Sequence, residues 1–156
     1  MKKNIRKIAV FGLIVFLLMQ FYQPDRNLDY GNILPEPITQ LYPVPNKVQI
    51  LLKTSCYDCH SNNTIYPWYS YLQPVRFFMD NHIKEGKENL NFSAFGTYSK
   101  RKQTSKLEAM SKQIKSNKMP LTSYTLIHKN AVLSVVQKEE LIKWINTTKD
   151  SLSSQN

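Results

Sequence analysis

Two cysteines are all the chain contains, and His60 stands directly behind the second: Cys56-Tyr57-Asp58-Cys59-His60. In a chain bound for an oxidising compartment, a C-x-x-C-H pentapeptide reads as the attachment site of a c-type haem. The spacing suits the chemistry. Two thiols on one turn of backbone can each form a thioether to a vinyl group of the same porphyrin, and the adjacent imidazole then falls under the iron as proximal ligand. A thioredoxin-like dithiol belongs in a βαβ context, and no β-rich pattern flanks this pair. A structural zinc ion needs four ligands. No second C-x-x-C exists, and Cys56, Cys59 and His60 are too tightly spaced to close on one ion easily. The expected cofactor is one covalent haem c.

Iron held by one imidazole has a sixth position to fill. Met119 is the first candidate, in Lys118-Met119-Pro120-Leu121 between two helical stretches. A thioether favours ferrous iron and raises the potential relative to two imidazoles. Pro120 stiffens the loop and removes a backbone donor. His82 and His128 are the alternatives, and an open position is the last. Tyr66, Trp68 and Tyr69 follow the motif. They are candidate walls for the porphyrin or donors to its propionates, and equally candidates for core filling. The chain has four glycines and no glycine-rich phosphate loop. No acid–base or nucleophile constellation stands out either, so the residues point to a carrier more than to an enzyme.

The segments that must position these groups read as helices throughout, giving an all-α domain. From Pro45-Asn46, Val48, Leu51, Leu52 and Ser55 recur at helical spacing, in a helix expected to run straight into the C-x-x-C-H. Pro74 suits the first turn of a helix reaching about Glu88. There Val75, Phe78, Met79, His82 and Ile83 form one apolar stripe, which turns His82 inward. Asn91 to Gly96 reads as a turn with two aromatic plugs. A helix from about Ser99 to Asn117 buries Gln103, Leu107, Met110 and Ile114. Its other faces carry Lys100, Arg101, Lys102, Lys106, Lys112 and Lys115. Ser123 to His128 is a turn or short helix. Ser134 with Gln137 forms a capping box opening a last helix to about Lys149, with Gln137, Leu141, Trp144, Ile145 and Thr148 on one side. Residues 151–156 read as a frayed tail.

Lys2, Lys3, Arg6 and Lys7 precede an apolar run from Ile8 to Tyr22 that only Gln20 interrupts, the layout of a signal peptide or signal anchor. No small residues stand near its end and there is no lipobox cysteine. Residues 1–23 are therefore expected to be an uncleaved, single-pass transmembrane helix, with the basic flank keeping the amino terminus cytoplasmic. Residues 24–45 hold Pro24, Pro35, Pro37, Pro43 and Pro45 and read as a semi-extended spacer, leaving 46–150 as the domain. Beyond the first run, 17 basic residues face 11 acidic ones. Such a surplus suits an acidic docking partner or an anionic membrane surface. No basic helix is interleaved with stacking aromatics, so nothing marks a nucleic-acid site.

The order of these pieces resembles that of class I cytochromes c: a helix entering C-x-x-C-H, middle helices, a Met-Pro loop and a terminal helix. More narrowly, the chain is similar to a small bacterial haem-binding domain family of membrane-anchored, single-haem proteins. The matching pieces are Cys56 to Tyr69, Asn91-Phe92-Ser93, and Met119-Pro120 through Tyr124 to His128, within a likeness spanning roughly Leu41 to Lys149. The resemblance implies haem thioethers at Cys56 and Cys59, a proximal ligand at His60 and a cytochrome c-like domain. With the anchor, it implies a domain held in the periplasm on a bacterial inner membrane, where it would pass single electrons to a redox partner. A haem sensor or enzyme with an open distal site is the alternative. The Met-Pro loop has Asn117-Lys118 where cytochromes c often have a glycine.

Overall fold

The computed structural model describes residues 2–30 and 36–154, and every regular element among them is helical. Val48, Leu51, Leu52 and Ser55 do occupy the buried face of one helix, α3 (Asn46–Ser55). It is preceded by α1 (Lys2–Met19) and the single turn α2 (Ile38–Leu41), and followed by α4 (Tyr57–His60) and α5 (Val75–Asn89). Then come α6 (Lys100–Lys115), α7 (Thr122–Ile127) and α8 (Val135–Ser153). Short 3-10 turns fill the gaps at Trp68–Tyr71, Phe92–Thr97 and Lys129–Ala131.

The core is made where α8 packs on α6 and α3. Leu52, Leu107, Leu141 and Ile145 are fully buried there, and Trp144 and Ile114 nearly so. The expected periodicity of α6 holds, with Gln103, Leu107, Met110 and Ile114 all buried. Ser134 caps α8 as its sequence implies: the Gln137 N–H donates to Ser134 Oγ at 3.2 Å, and the Ser134 N–H donates to Gln137 Oε1 at 2.8 Å. The helix runs on to Ser153 instead of fraying after Lys149, because Leu152 is buried. Residues 155–156 of the expected tail lie outside the described residues.

Residues 24–30 and 36–45 are not a free spacer. Ile38 sits in the core, the Tyr42 hydroxyl donates to Gln103 Oε1 at 2.6 Å, and the Pro43 carbonyl accepts from Trp144 Nε1 at 3.1 Å. Earlier in the segment, Asn27 is bonded on every side. Its N–H donates to the Tyr66 hydroxyl and its side-chain amide to Ser61 O and Thr64 Oγ1, while its Oδ1 accepts from Lys87 Nζ. Proline stops helix here but does not keep the chain off the domain. Pro35 lies outside the described residues.

Helix α5 also departs from its expected stripe. Its buried residues are Arg76, Ile83 and Gly86, while Val75, Phe78 and His82 are exposed. The reason is polar. Gln73 and Arg76 turn inward to bond the backbone and side chains of residues 20–24, which rotates the apolar stripe outward.

Helix α1 buries nothing. The expected transmembrane helix finds no counterpart of the needed length, for no helix among the described residues is long and apolar enough to cross a membrane. Lys2, Lys3, Arg6 and Lys7 take up its first turns. The stretch from Ile8 to Met19 extends only about 18 Å at 1.5 Å per residue, against a hydrocarbon core of ~30 Å.

Candidate functional site

Helix α3 does not run straight into the C-x-x-C-H. Cys56 leaves helical geometry at φ −132° and ψ −42°, and α4 starts a new turn from it. The Cys56 N–H still closes on Leu52 O at 3.0 Å, and the His60 N–H donates to Cys56 O at 3.0 Å, so the break is bonded on both sides. The kink turns Cys56, Cys59 and His60 toward one cavity of about 420 Å³ between α4, α5, α6 and the loop after α6. That size lies within the range of small-molecule and cofactor sites. Leu90, Phe92, Met110, Ile114 and Leu133 make its walls largely apolar, and Met119 lines it as well.

His60 Nδ1 lies 3.0 Å from the Leu90 carbonyl. A carbonyl only accepts, so Nδ1 carries the proton and Nε2 is left with its lone pair. This is how a ligating imidazole is oriented from its far side. Burial holds the His60 pKa below its ordinary value, against the opposing backbone hydrogen bonds of Leu90 and Gly86. The ring is therefore neutral, as a metal ligand must be. Burial also pushes the Cys56 thiol up to about 12 and the Cys59 thiol up to about 11, helped by the charges of Cys59 and Asp58 respectively. Reactive dithiols have depressed values, so this pair does not look like a thioredoxin-type couple. Among the described residues, no group of three or more His, Cys, Asp and Glu side chains is placed to hold a metal ion.

Three pieces quoted from the sequence converge on α4. Asp58, between the two cysteines, accepts from the Ile65 N–H at 3.1 Å and from the Tyr124 hydroxyl at 2.7 Å. The Tyr of the Met-Pro block is thus tied to the C-x-x-C-H itself. Burial, and then the bond to Asp58, raises the Tyr124 pKa, so its proton stays in that bond. The Asn-Phe-Ser block works from the other side. Asn91 Nδ2 donates to Asn62 Oδ1 at 2.8 Å, the Asn62 N–H donates to Ser93 Oγ at 3.0 Å, and the Phe92 ring stands edge-on to His60. Gly86 brings α5 onto α4: a Cβ there would lie 2.5 Å from the Cys59 carbonyl oxygen. Gly86, Leu90 and Asp58 carry no signal of these roles in the sequence. Their roles are long-range backbone and side-chain contacts, which leave no local pattern.

The remaining candidates divide. His82 lines the cavity from α5 although it is exposed. His128 does not line it; its Nε2 is 2.6 Å from the Tyr69 hydroxyl and its ring stacks on Tyr124 at 4.2 Å. Tyr66, Trp68 and Tyr69 do not line it either. Tyr66 is bonded to Asn27, Tyr69 to His128, and Trp68 is exposed to solvent. Lys106, expected on the outer face of α6, instead brings a positive charge to the cavity. The missing glycine before Met-Pro is also accounted for: Asn117 takes the left-handed conformation, φ 57°, that ends α6, and asparagine tolerates that region better than most residues.

A family model described as a haem-binding domain matches residues 14–147. The chain belongs to that family. No curated protein and no solved structure matches it. As a haem-binding domain the cavity makes sense: its lining combines an apolar body with a neutral imidazole oriented by Leu90, a thioether at Met119 and one lysine for an anionic edge. The donor set and the space fit a porphyrin better than a bare metal ion.

Proposed function

We propose that the chain carries a single c-type haem and serves as a one-electron carrier at the outer face of a bacterial inner membrane. Thioethers at Cys56 and Cys59 would hold the porphyrin, with His60 as proximal and Met119 as distal ligand. The observation that carries this reading is that both thiols, His60 and Met119 line one largely apolar cavity. When bound, the haem supplies a one-electron ferric/ferrous couple. The rest is the protein's work. The Leu90 carbonyl fixes the His60 ring, and Gln113 O accepts the Lys118 and Met119 N–H groups at 3.0 and 3.3 Å, steadying the loop that presents the thioether. Lys106, which lines the cavity, would offer its charge to a propionate, and the apolar walls would exclude water. The exposed basic face of α6, with Arg101, Lys102, Lys112 and Lys115, would dock an acidic redox partner transiently.

Helix α1 would attach the domain to the membrane. It is apolar around its whole circumference from Ile8 to Met19 and none of its residues is buried, and its basic end favours the cytoplasmic side.

His82 supports a second reading, a haem sensor or enzyme with an open sixth position, because it lines the same cavity and could act on a bound diatomic or peroxide. Absorption spectra of the full chain, matured with haem, separate the two. The carrier reading expects a c-type reduced spectrum and a weak red sulfur-to-iron band when oxidised, lost in Met119→Ala and kept in His82→Ala. Prompt carbon monoxide binding by the reduced wild type would favour the second reading. A mature protein without the mass of a covalent haem would end both as c-type readings.

A further inference from the structure

The junction between α1 and the domain is a fixed corner. Gln20 and Gln73 exchange two hydrogen bonds, Gln20 Nε2 to Gln73 O at 3.3 Å and the Gln73 N–H to Gln20 Oε1 at 3.0 Å. Gln73 Nε2 donates to Tyr22 O at 2.7 Å, and Arg76 donates to Gln23 Oε1 at 2.7 Å and to the Pro24 carbonyl. Gln73 and Arg76 are both buried. Polar groups taken out of water without partners are costly, so each of these bonds resists opening. Residues 20–27 thus form a strap across α5, and the domain cannot swing freely below α1.

Around this corner the surface is apolar. Phe21, Tyr22, Leu72, Val75, Phe77 and Phe78 are between 42% and 84% exposed. Phe77 begins one helical turn beyond Gln73, whose Oε1 accepts the Phe77 N–H, and its ring stands 5.9 Å from that of Phe78. Phe21 and Tyr22 follow directly on α1, whose apolar part from Ile8 to Met19 is itself unburied.

We infer that this face of the haem domain rests in the headgroup region of the bilayer, so that the domain is docked on the membrane at a fixed tilt. The inference rests on the reading of α1 as a membrane attachment. A helix with about 18 Å of apolar length is shorter than the ~30 Å core. Such a helix does not cross on its own length, and its insertion would rely on a locally thinned bilayer and on flanks that reach the interface. At one end Lys2, Lys3, Arg6 and Lys7 can snorkel. At the other end there is no charged flank before Asp25, and the fixed corner pulls Phe21, Tyr22 and the neighbouring face of the domain into the interface. The amphipathic ring of Tyr22 is of the kind that depth favours, and phenylalanine and leucine bury at the headgroup–acyl boundary. The strap and the exposed stripe of α5 thus have one explanation: residues turned away from the protein core are turned toward lipid.

The test uses the full haem-loaded chain in vesicles of phosphatidylethanolamine and phosphatidylglycerol. Flotation reads attachment, and polarised absorption of the haem bands in oriented layers reads tilt. The expected result is co-flotation with a defined dichroism that is lost in Leu72→Ser/Phe77→Ser/Phe78→Ser while flotation and the haem spectrum are unchanged. Phe78→Ser alone, at a well exposed position, should lose part of it. Flotation without dichroism in the wild type would overturn docking and leave the attachment reading standing. Dichroism equally strong in both variants would assign the tilt to the corner alone and overturn the role of the patch. Failure to float would overturn both readings. A dimer in detergent that the triple variant abolishes would give the face to a second copy and overturn the inference.

Discussion

The two halves of this domain are held together by different forces. Where α3, α6 and α8 meet, Leu52, Leu107, Leu141 and Ile145 are buried among one another, and the side-chain hydrogen bonds of Gln103 and Trp144 lie at the margin of that apolar cluster. Around α5 and residues 20–30 the positions are reversed. Gln73 and Arg76 are buried, Asn27 is bonded through its backbone and both side-chain atoms, and phenylalanines face outward. Apolar burial is non-directional and cumulative, so it makes a core that tolerates small displacements. Polar fastening is directional, and each lost bond leaves a desolvated partner behind. The cavity lined by Cys56, Cys59 and His60 lies between the two, with α6 on one side and α5 on the other.

If this contrast is right, the largest effect belongs to the apolar half. Leu141→Ala removes a fully buried side chain and should lower stability by about 2–5 kcal/mol. Equilibrium urea unfolding would show it as one shifted transition for the whole domain. A loss below ~1 kcal/mol would mean that the core can collapse around the gap and that burial does not dominate there.

The next effect tests the seam between the halves. Gly86→Val would put side-chain carbon against the Cys59 carbonyl, where even a Cβ has only 2.5 Å. The clash is with backbone, so α5 must move off α4, at about 1–3 kcal/mol for overpacking. Because Leu90 moves with α5, the variant should also lose the bond that orients His60. The yield of haem-loaded protein, compared at equal expression, should fall more than stability alone explains. Normal loading with normal stability would show that the close approach is not needed.

The polar half should respond locally. Asn27→Ala removes the donors to Ser61 and Thr64 and the acceptor for Lys87, about 1–2 kcal/mol by the worth of such bonds. The loss should appear as faster amide exchange in residues 23–30 and 61–66, with the urea midpoint of the core nearly unmoved. Uniformly faster exchange through α6 and α8 would mean that the strap and the core unfold as one unit.

How far the sequence could be read follows the same division. The α3, α6 and α8 faces are legible because apolar residues recur at helical spacing, and the grouping of Cys56, Cys59 and His60 on one cavity is legible because they lie within five residues. The strap, the outward stripe of α5 and the placing of Tyr66, Trp68 and Tyr69 away from the cavity are not. An inward Arg76 and an outward Phe78 invert the pattern that periodicity relies on, and what inverts them is a set of bonds to residues some fifty positions earlier. Leu90 acts on His60 through a carbonyl, which every residue has, so its identity carries no signal. Met119 and His82 are candidates by residue type and both line the cavity; His128, a candidate on the same ground, is diverted by Tyr69.

The smallest effect sharpens the reason. Polarity by itself did not hide the strap, since the Ser134–Gln137 capping box is just as polar and was read directly. The two differ in sequence separation: three residues for the box, sixty for Lys87 to Asn27. Ser134→Ala should cost about 1 kcal/mol, and Ser134→Asp, which keeps the accepting oxygen, should recover most of it. Because the box opens the helix that carries Leu141, Trp144 and Ile145, this small loss should appear in the urea transition of the core, unlike the larger local loss in Asn27→Ala. If Ser134→Ala frays only the first turn of α8 and leaves that transition in place, the cap is as local in its energetics as the strap. The division between the halves would then follow exposure at the edge of the fold, not the kind of bond that holds each one.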